Sequence, residues 1–222
     1  MERPTQEMYA EIKKGIVELS SKLPEGDVTY LLMGNSAFLG HIFASAIFQH
    51  AGRTLHYEVL PREENQSLYR TDVLETDQVL DRLKRLIDDN GTVVLFDDHS
   101  YFGNKLRFMM IKLGLESHEI YEERTSFDSF PFRNIIDSGK LSIIVAFARR
   151  LLFTHKHELV SFGNDFVSEE TIKYLNGLAS KVSAFVTQGL TTTDYLNEES
   201  PMYADFLGIL SEMQELYNQI IP

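Results

Sequence analysis

Two hydrophobic periods take turns along this chain. Between residues 5 and 23 apolar side chains recur at Met8, Ile12, Ile16 and Leu19, the spacing of one helical face, and Pro24-Glu25-Gly26 ends the run. Residues 27–33, DVTYLLM, are β-rich and lead into Gly34-Asn35-Ser36, a turn or helix cap. Residues 37–51 then read as a largely apolar helix closed by Gly52, and residues 53–60, RTLHYEVL, alternate as a strand does.

The segment 61–71, PREENQSLYRT, is polar and aperiodic, which predicts a mobile loop. Residues 77–89 predict an amphipathic helix with Val79, Leu80, Leu83 and Leu86 inward, stopped by Asn90-Gly91. A buried strand over 93–96 follows, then a helix over 105–113 and a strand at HEIYEE, residues 118–123. Further on, LSIIVAFA (141–148) is a strongly apolar strand, HELVSF (157–162) predicts another, and SFGND (161–165) reads as an exposed turn. From Ser168 the pattern is helical, with segments 171–187 and 201–221 around a Thr-rich turn.

Strand, loop and helix repeated with short connections predict an α/β fold, a mainly parallel sheet flanked by helices, with a helical C-terminal region. The expected division is an α/β core over 1–165 and a helical part over 166–222. That part serves either as a cap on the core or as the dimerisation element of a homodimer.

Composition narrows the function classes. With 43% hydrophobic and 24% charged residues the chain is of the ordinary globular kind, not a disordered or fibrous one. A net charge of -12, from 33 acidic and 21 basic residues, argues against broad binding to nucleic acid or anionic membrane. There are no cysteines, which excludes disulfides, thiolate metal sites and a cysteine nucleophile. The first residues, MERPTQEMYAEIKK, contain no signal-peptide core, and no apolar run is of bilayer length, so a cytoplasmic protein is expected.

The densest chemistry lies in TVVLFDDHSYFGNKL, residues 92–106. Two adjacent carboxylates repel and lose solvation if buried, so Asp97 and Asp98 are expected to face solvent, a cation or a hydroxyl-rich ligand at the end of the strand. At a strand end they can accept hydrogen bonds from two vicinal hydroxyls, while the loop after them and a helix N-terminus hold a phosphate. A plainer role is to cap the following helix, although one cap needs only one residue.

At these residues the chain resembles the type I phosphoribosyltransferases, whose PRPP motif is a hydrophobic strand, two acidic residues, four variable residues and a glycine. Val93-Val94-Leu95-Phe96-Asp97-Asp98 followed by Gly103 fits that frame. In the family an earlier strand ends in a pyrophosphate loop and a mobile loop comes next. Gly34-Asn35-Ser36 and residues 61–71 stand in that order here. The resemblance covers about residues 5–145. It implies displacement of pyrophosphate from PRPP by a nitrogenous base with Mg²⁺ as cofactor, and a phosphorylated ribose or nucleotide as ligand. Asp97 and Asp98 would be the catalytic pair and hold the metal. Gly34, Asn35 and Ser36, the loop residues His99, Ser100, Tyr101, Phe102, Gly103, Asn104 and Lys105, and Arg62 and Arg70 on the mobile loop would bind the ligand. Tyr101 and Phe102 are bulkier than the family's usual residues there, which keeps a non-catalytic, ligand-sensing or assembly protein of the same fold as the alternative.

A third reading is a receiver domain, in which two acidic residues after the first strand hold Mg²⁺. That fold also needs a phosphoacceptor aspartate on a later strand, and Phe147-Ala148-Arg149-Arg150 provides none. Of the other candidates, His155-Lys156-His157 lacks a third metal ligand and reads as a solvated turn. His41 and His50 belong to an apolar helix, and Phe127, Phe130 and Phe132 read as core or as a base-stacking loop.

Overall fold

The computed structural model describes residues 4–32, 37–59, 78–100, 138–149, 160–187 and 201–222. Expectations at 61–71, 105–113 and 118–123, and those for the histidines at 155 and 157 and the aromatics at 127–132, lie outside these residues.

The first helix, α1 (Gln6–Ser20), starts where a side chain can cap it: Thr5 Oγ1 accepts a 3.3 Å hydrogen bond from the amide of Met8. Tyr9, Ile12, Gly15, Ile16 and Leu19 form its buried face, one helical stripe. Strand β1 (Val28–Leu32), helix α2 (Ala37–His50) and strand β2 (His56–Val59) follow at the expected places. Helix α3 (Gln78–Asn90) ends at Gly91, whose φ of 83° is the left-handed conformation that glycine adopts without a Cβ penalty.

Three further strands, β3 (Thr92–Ser100), β4 (Leu141–Arg149) and β5 (Val160–Val167), complete a five-stranded sheet of order β2-β1-β3-β4-β5. Every neighbouring pair is parallel. Two boundaries differ from the sequence reading. Strand β5 runs through Ser161-Phe162-Gly163-Asn164-Asp165, so SFGND is strand and not a turn. Strand β3 does not stop at Phe96 but continues through both aspartates to Ser100.

The sheet has two covered faces. On one, Tyr30, Leu32, Val94, Phe96, Ile144 and Ala146 join α1 and α2 in a single apolar cluster. On the other, Leu31, Val93, Leu95, Ile143 and Val145 are equally buried, and Leu83, Leu86 and Ile87 of α3 are buried with them as α3 packs on β3. Burial on both faces is why the strands read as near-continuous apolar runs.

The final helices, α4 (Glu169–Thr187) and α5 (Pro201–Ile220), contribute to the first face. Ile172, Leu175, Leu178 and Val182 of α4, and Met213, Leu216 and Ile220 of α5, belong to the same cluster as α1 and α2. Polar contacts add to the packing. Lys181 of α4 and Glu212 of α5 meet at 2.7 Å, and Lys13 Nζ donates to the carbonyl of Ile221 at 3.2 Å. Among the described residues no helix is long and apolar enough to cross a membrane.

Candidate functional site at the carboxyl ends of the strands

The acidic pair lies toward the carboxyl end of β3. On one side, Leu32 of β1 stands opposite Phe96. On the other, β4 pairs alongside, with Asp97 opposite Val145, His99 opposite Phe147 and Ser100 opposite Ala148. Aspartate is a poor strand former, but β4 supplies a continuous partner and pairing overrides propensity. Asp97 through Ser100 therefore continue the central strand.

This end of β3 lies where the strand order reverses: the chain passes from β1 outward to β2, then returns to β3 and proceeds the other way through β4 and β5. In doubly wound sheets this switch point opens a crevice outside the carboxyl ends, and ligands bind there.

The acidic pair is not solvent-facing, contrary to the expectation from repulsion and solvation. Asp97 is 3% exposed and Asp98 is fully buried. A buried carboxylate needs a compensating partner. Asp98 has one in the next residue: its Oδ2 lies 2.8 Å from His99 Nδ1. His99 Nε2 in turn lies 3.3 Å from Asn176 Oδ1 on α4. Burial pushes the His99 pKa down, but the charge and hydrogen bond of Asp98, the charge of Asp97 and the bond to Asn176 outweigh it, and the net shift is upward.

Strict alternation would turn Asp98 and His99 to opposite faces. Their contact shows the pleat relaxing here, and β4 does the same alongside: Ala146 and Phe147, neighbours in sequence, both join the first-face cluster. Phe147 packs edge-on against Phe43 of α2 with ring centroids 5.0 Å apart, and β4 carries a register shift against β5 between Phe147 and Arg149. His99, the partner of Phe147, thus reaches α4 on that same side.

No protein-family model and no curated protein matches this chain. The site accordingly stands on its own chemistry: two carboxylates, one imidazole and one amide, at the end of a central parallel strand.

Of the sequence candidates, Asp98 and His99 meet directly, Asp97 acts on His99 through its charge, and Ser100 closes β3 beside Ala148. Gly34, Asn35, Ser36, Arg62, Arg70, Tyr101, Phe102, Gly103, Asn104 and Lys105 lie outside the described residues. His41 packs against Tyr57 at 4.6 Å between ring centroids, and His50 Nε2 contacts the carbonyl of Ile220 at 2.8 Å, so both have packing roles. Asn176 went unnoticed in the sequence. Its only signal is a polar residue at the border of the α4 stripe formed by Ile172, Leu175, Ala179 and Val182.

Among the described residues no three or more His, Asp or Glu side chains gather as a metal site. A groove of about 570 Å³ lined by Asp27, Thr29, His56 and Glu58 lies at the amino ends of β1 and β2, the far end of the sheet from the aspartates. It holds no comparable convergence of buried charge.

Proposed function

We propose that the carboxyl end of β3 binds a phosphorylated ribose or nucleotide ligand, and that its chemistry is phosphoribosyl transfer to a nitrogenous base with Mg²⁺. The observation that supports this reading best is the pair of carboxylates toward the carboxyl end of the central strand, at the switch point of a parallel sheet of order β2-β1-β3-β4-β5. Sheets of this order bind phosphate-bearing cofactors in that crevice. Asp97 and Asp98 orient the ribose through its vicinal hydroxyls, and their charge favours the positive character that develops on the sugar as the pyrophosphate departs. In this reading donors of Gly34, Asn35 and Ser36, of the residues from Tyr101 to Lys105, and of Arg62 and Arg70 would receive the phosphates.

Mg²⁺ suits the donor set, because it is commonly held by one or two carboxylates together with substrate phosphates. Asp97 and Asp98 would hold it, and it would neutralise diphosphate charge.

A second reading, ligand sensing or assembly without turnover, draws support from the Asp98–His99 contact. A carboxylate already bonded inside the protein is less available to a metal. The receiver reading fares worse, since its acidic pair belongs after the first strand and here it lies on β3.

Calorimetric titration of the whole chain with PRPP and Mg²⁺, compared with Asp97→Asn/Asp98→Asn, tests the site. Binding is expected in the wild type and roughly a hundredfold weaker in the variant, as for the loss of two charge-assisted hydrogen bonds. Pyrophosphate release with a panel of nitrogenous bases then separates transfer from sensing. A folded wild-type protein that does not bind PRPP or ribose 5-phosphate removes the proposal.

A further inference from the structure

His99 is held at both ends of its ring. Nδ1 contacts Asp98 Oδ2 at 2.8 Å and Nε2 contacts Asn176 Oδ1 at 3.3 Å. An imidazole has only these two polar atoms, so with both engaged the ring cannot turn without breaking a bond. The Asp98 carboxylate at one end of that ring is fully buried.

Only one member of this chain of contacts comes from outside β3. Asp98 and His99 are consecutive on one strand. Asn176 is different. It stands on α4, which Ile172, Leu175 and Ala179 bury in the core on the same side of the helix. Its place is therefore set by a helix that packs on the face of the sheet, in the same cluster as Val94 and Phe96 of β3. Ser180 Oγ donates to the Asn176 carbonyl at 2.7 Å, which leaves the Asn176 side-chain amide to face His99.

We infer that Asn176 is a positioning residue, which fixes the His99 ring beside Asp98 in the orientation that a ligand at the end of β3 meets. Helix α4 is then a wall of the site. The effect on binding rests on the ligand reading above; the locking of His99 does not. Partners of this outer kind orient the groups that touch the ligand, and their removal commonly costs ten- to a hundredfold in affinity.

The test uses the whole chain with Asn176→Leu, which keeps the volume and loses the amide, and Asn176→Asp, which keeps an acceptor in place. Circular dichroism first establishes that each is folded. Long-range ¹H–¹⁵N correlation spectra of the His99 ring are then compared, followed by calorimetry with PRPP and Mg²⁺. Asn176→Leu is expected to shift and broaden the His99 Nε2 resonance and to weaken binding roughly tenfold or more. Asn176→Asp is expected to restore both. Unchanged His99 resonances in a folded Asn176→Leu protein overturn the inference, and so does a mobilised ring with wild-type affinity. If the wild type binds neither PRPP nor ribose 5-phosphate, the ligand reading fails by itself, and the His99 spectra alone decide whether Asn176 locks the ring. Should Asn176→Leu not fold, the Asn176→Asp spectra decide: wild-type-like ring signals support the lock and a mobile ring overturns it.

Discussion

Asp98 and His99, consecutive in the chain, meet at 2.8 Å inside the protein, the carboxylate fully buried and the imidazole 11% exposed. Neighbours on a regular strand would face apart. Their contact makes an ionisable pair inside the protein, and it ties stability to pH.

The sign follows from the raised His99 pKa. Burial lowers it, and the Asp98 charge and hydrogen bond, the Asp97 charge and the Asn176 bond more than reverse that. A group whose pKa is raised on folding contributes stability that is complete below its unfolded value, about 6.5, and is lost as pH rises through the higher folded value. Urea unfolding of the metal-free protein is expected to show a wild-type advantage over His99→Gln that shrinks as pH rises above about 6.5. An advantage that grows with pH would contradict the assignment.

Glu11 of α1 anchors the start of α4. Its Oε2 accepts from the Ser168 amide at 3.1 Å, from Ser168 Oγ at 2.7 Å and from Thr171 Oγ1 at 2.5 Å. Ser168 Oγ also accepts from the amide of Thr171 at 3.2 Å, the bond of an N-cap. Glu11→Ala strands buried donors, Thr171 among them, and should cost about 1–3 kcal/mol, while Ser168→Ala costs about 1 kcal/mol. The double variant should cost less than the sum, because both changes break the same network. Additive losses in denaturant titrations would mean that the network is not coupled.

Tyr30 is buried between Phe48, 5.0 Å away edge-on, and Phe96 at 5.4 Å. Its hydroxyl has no hydrogen-bond partner among the described residues, and burial pushes its pKa up, only partly offset by the charge of Arg53. Removing an unsatisfied buried hydroxyl relieves a desolvation penalty. Tyr30→Phe is expected to stabilise the protein by about 1 kcal/mol in thermal or urea unfolding. Destabilisation by a similar amount would point to an internal water on that oxygen.

Phe43 is fully buried on α2 and meets Phe147 of β4 edge-to-face. Phe43→Ala should cost about 3–5 kcal/mol, the usual loss for a large core aromatic. Because Phe147 is the register partner of His99, the variant should also perturb the His99 ring signals. A large loss of stability with those signals unmoved would separate the core from the site.

Helices and apolar strands were legible because each carries its own period. The Ile12, Ile16 and Leu19 stripe of α1 and the unbroken apolar run of β4 state their partners' side in local sequence. The end of β3 did not, since Asp-Asp-His-Ser has little strand propensity and what extends it is a ladder to β4, distant in sequence. The same reason hid the second half of β5, where Gly163-Asn164-Asp165 reads as a turn until β4 pairs with it. The carboxylates were visible as chemistry, but their burial was not, because the compensating His99 contact depends on a local break in the pleat. Asn176 was the least legible, a single polar residue beside an apolar stripe whose partner is 77 positions away.

The acidic end of β3 has a consequence for how the chain finds its alignment. Sliding β3 by one residue would turn Leu95 and Asp97 to the side now held by Phe96 and Asp98, pressing a carboxylate into the apolar cluster with no imidazole beside it. A slip among purely aliphatic strands costs little by comparison. Two acidic residues at the tip of an otherwise interchangeable run of Val, Leu and Phe thus act as an index mark, which lets a greasy strand be threaded into the sheet in one alignment.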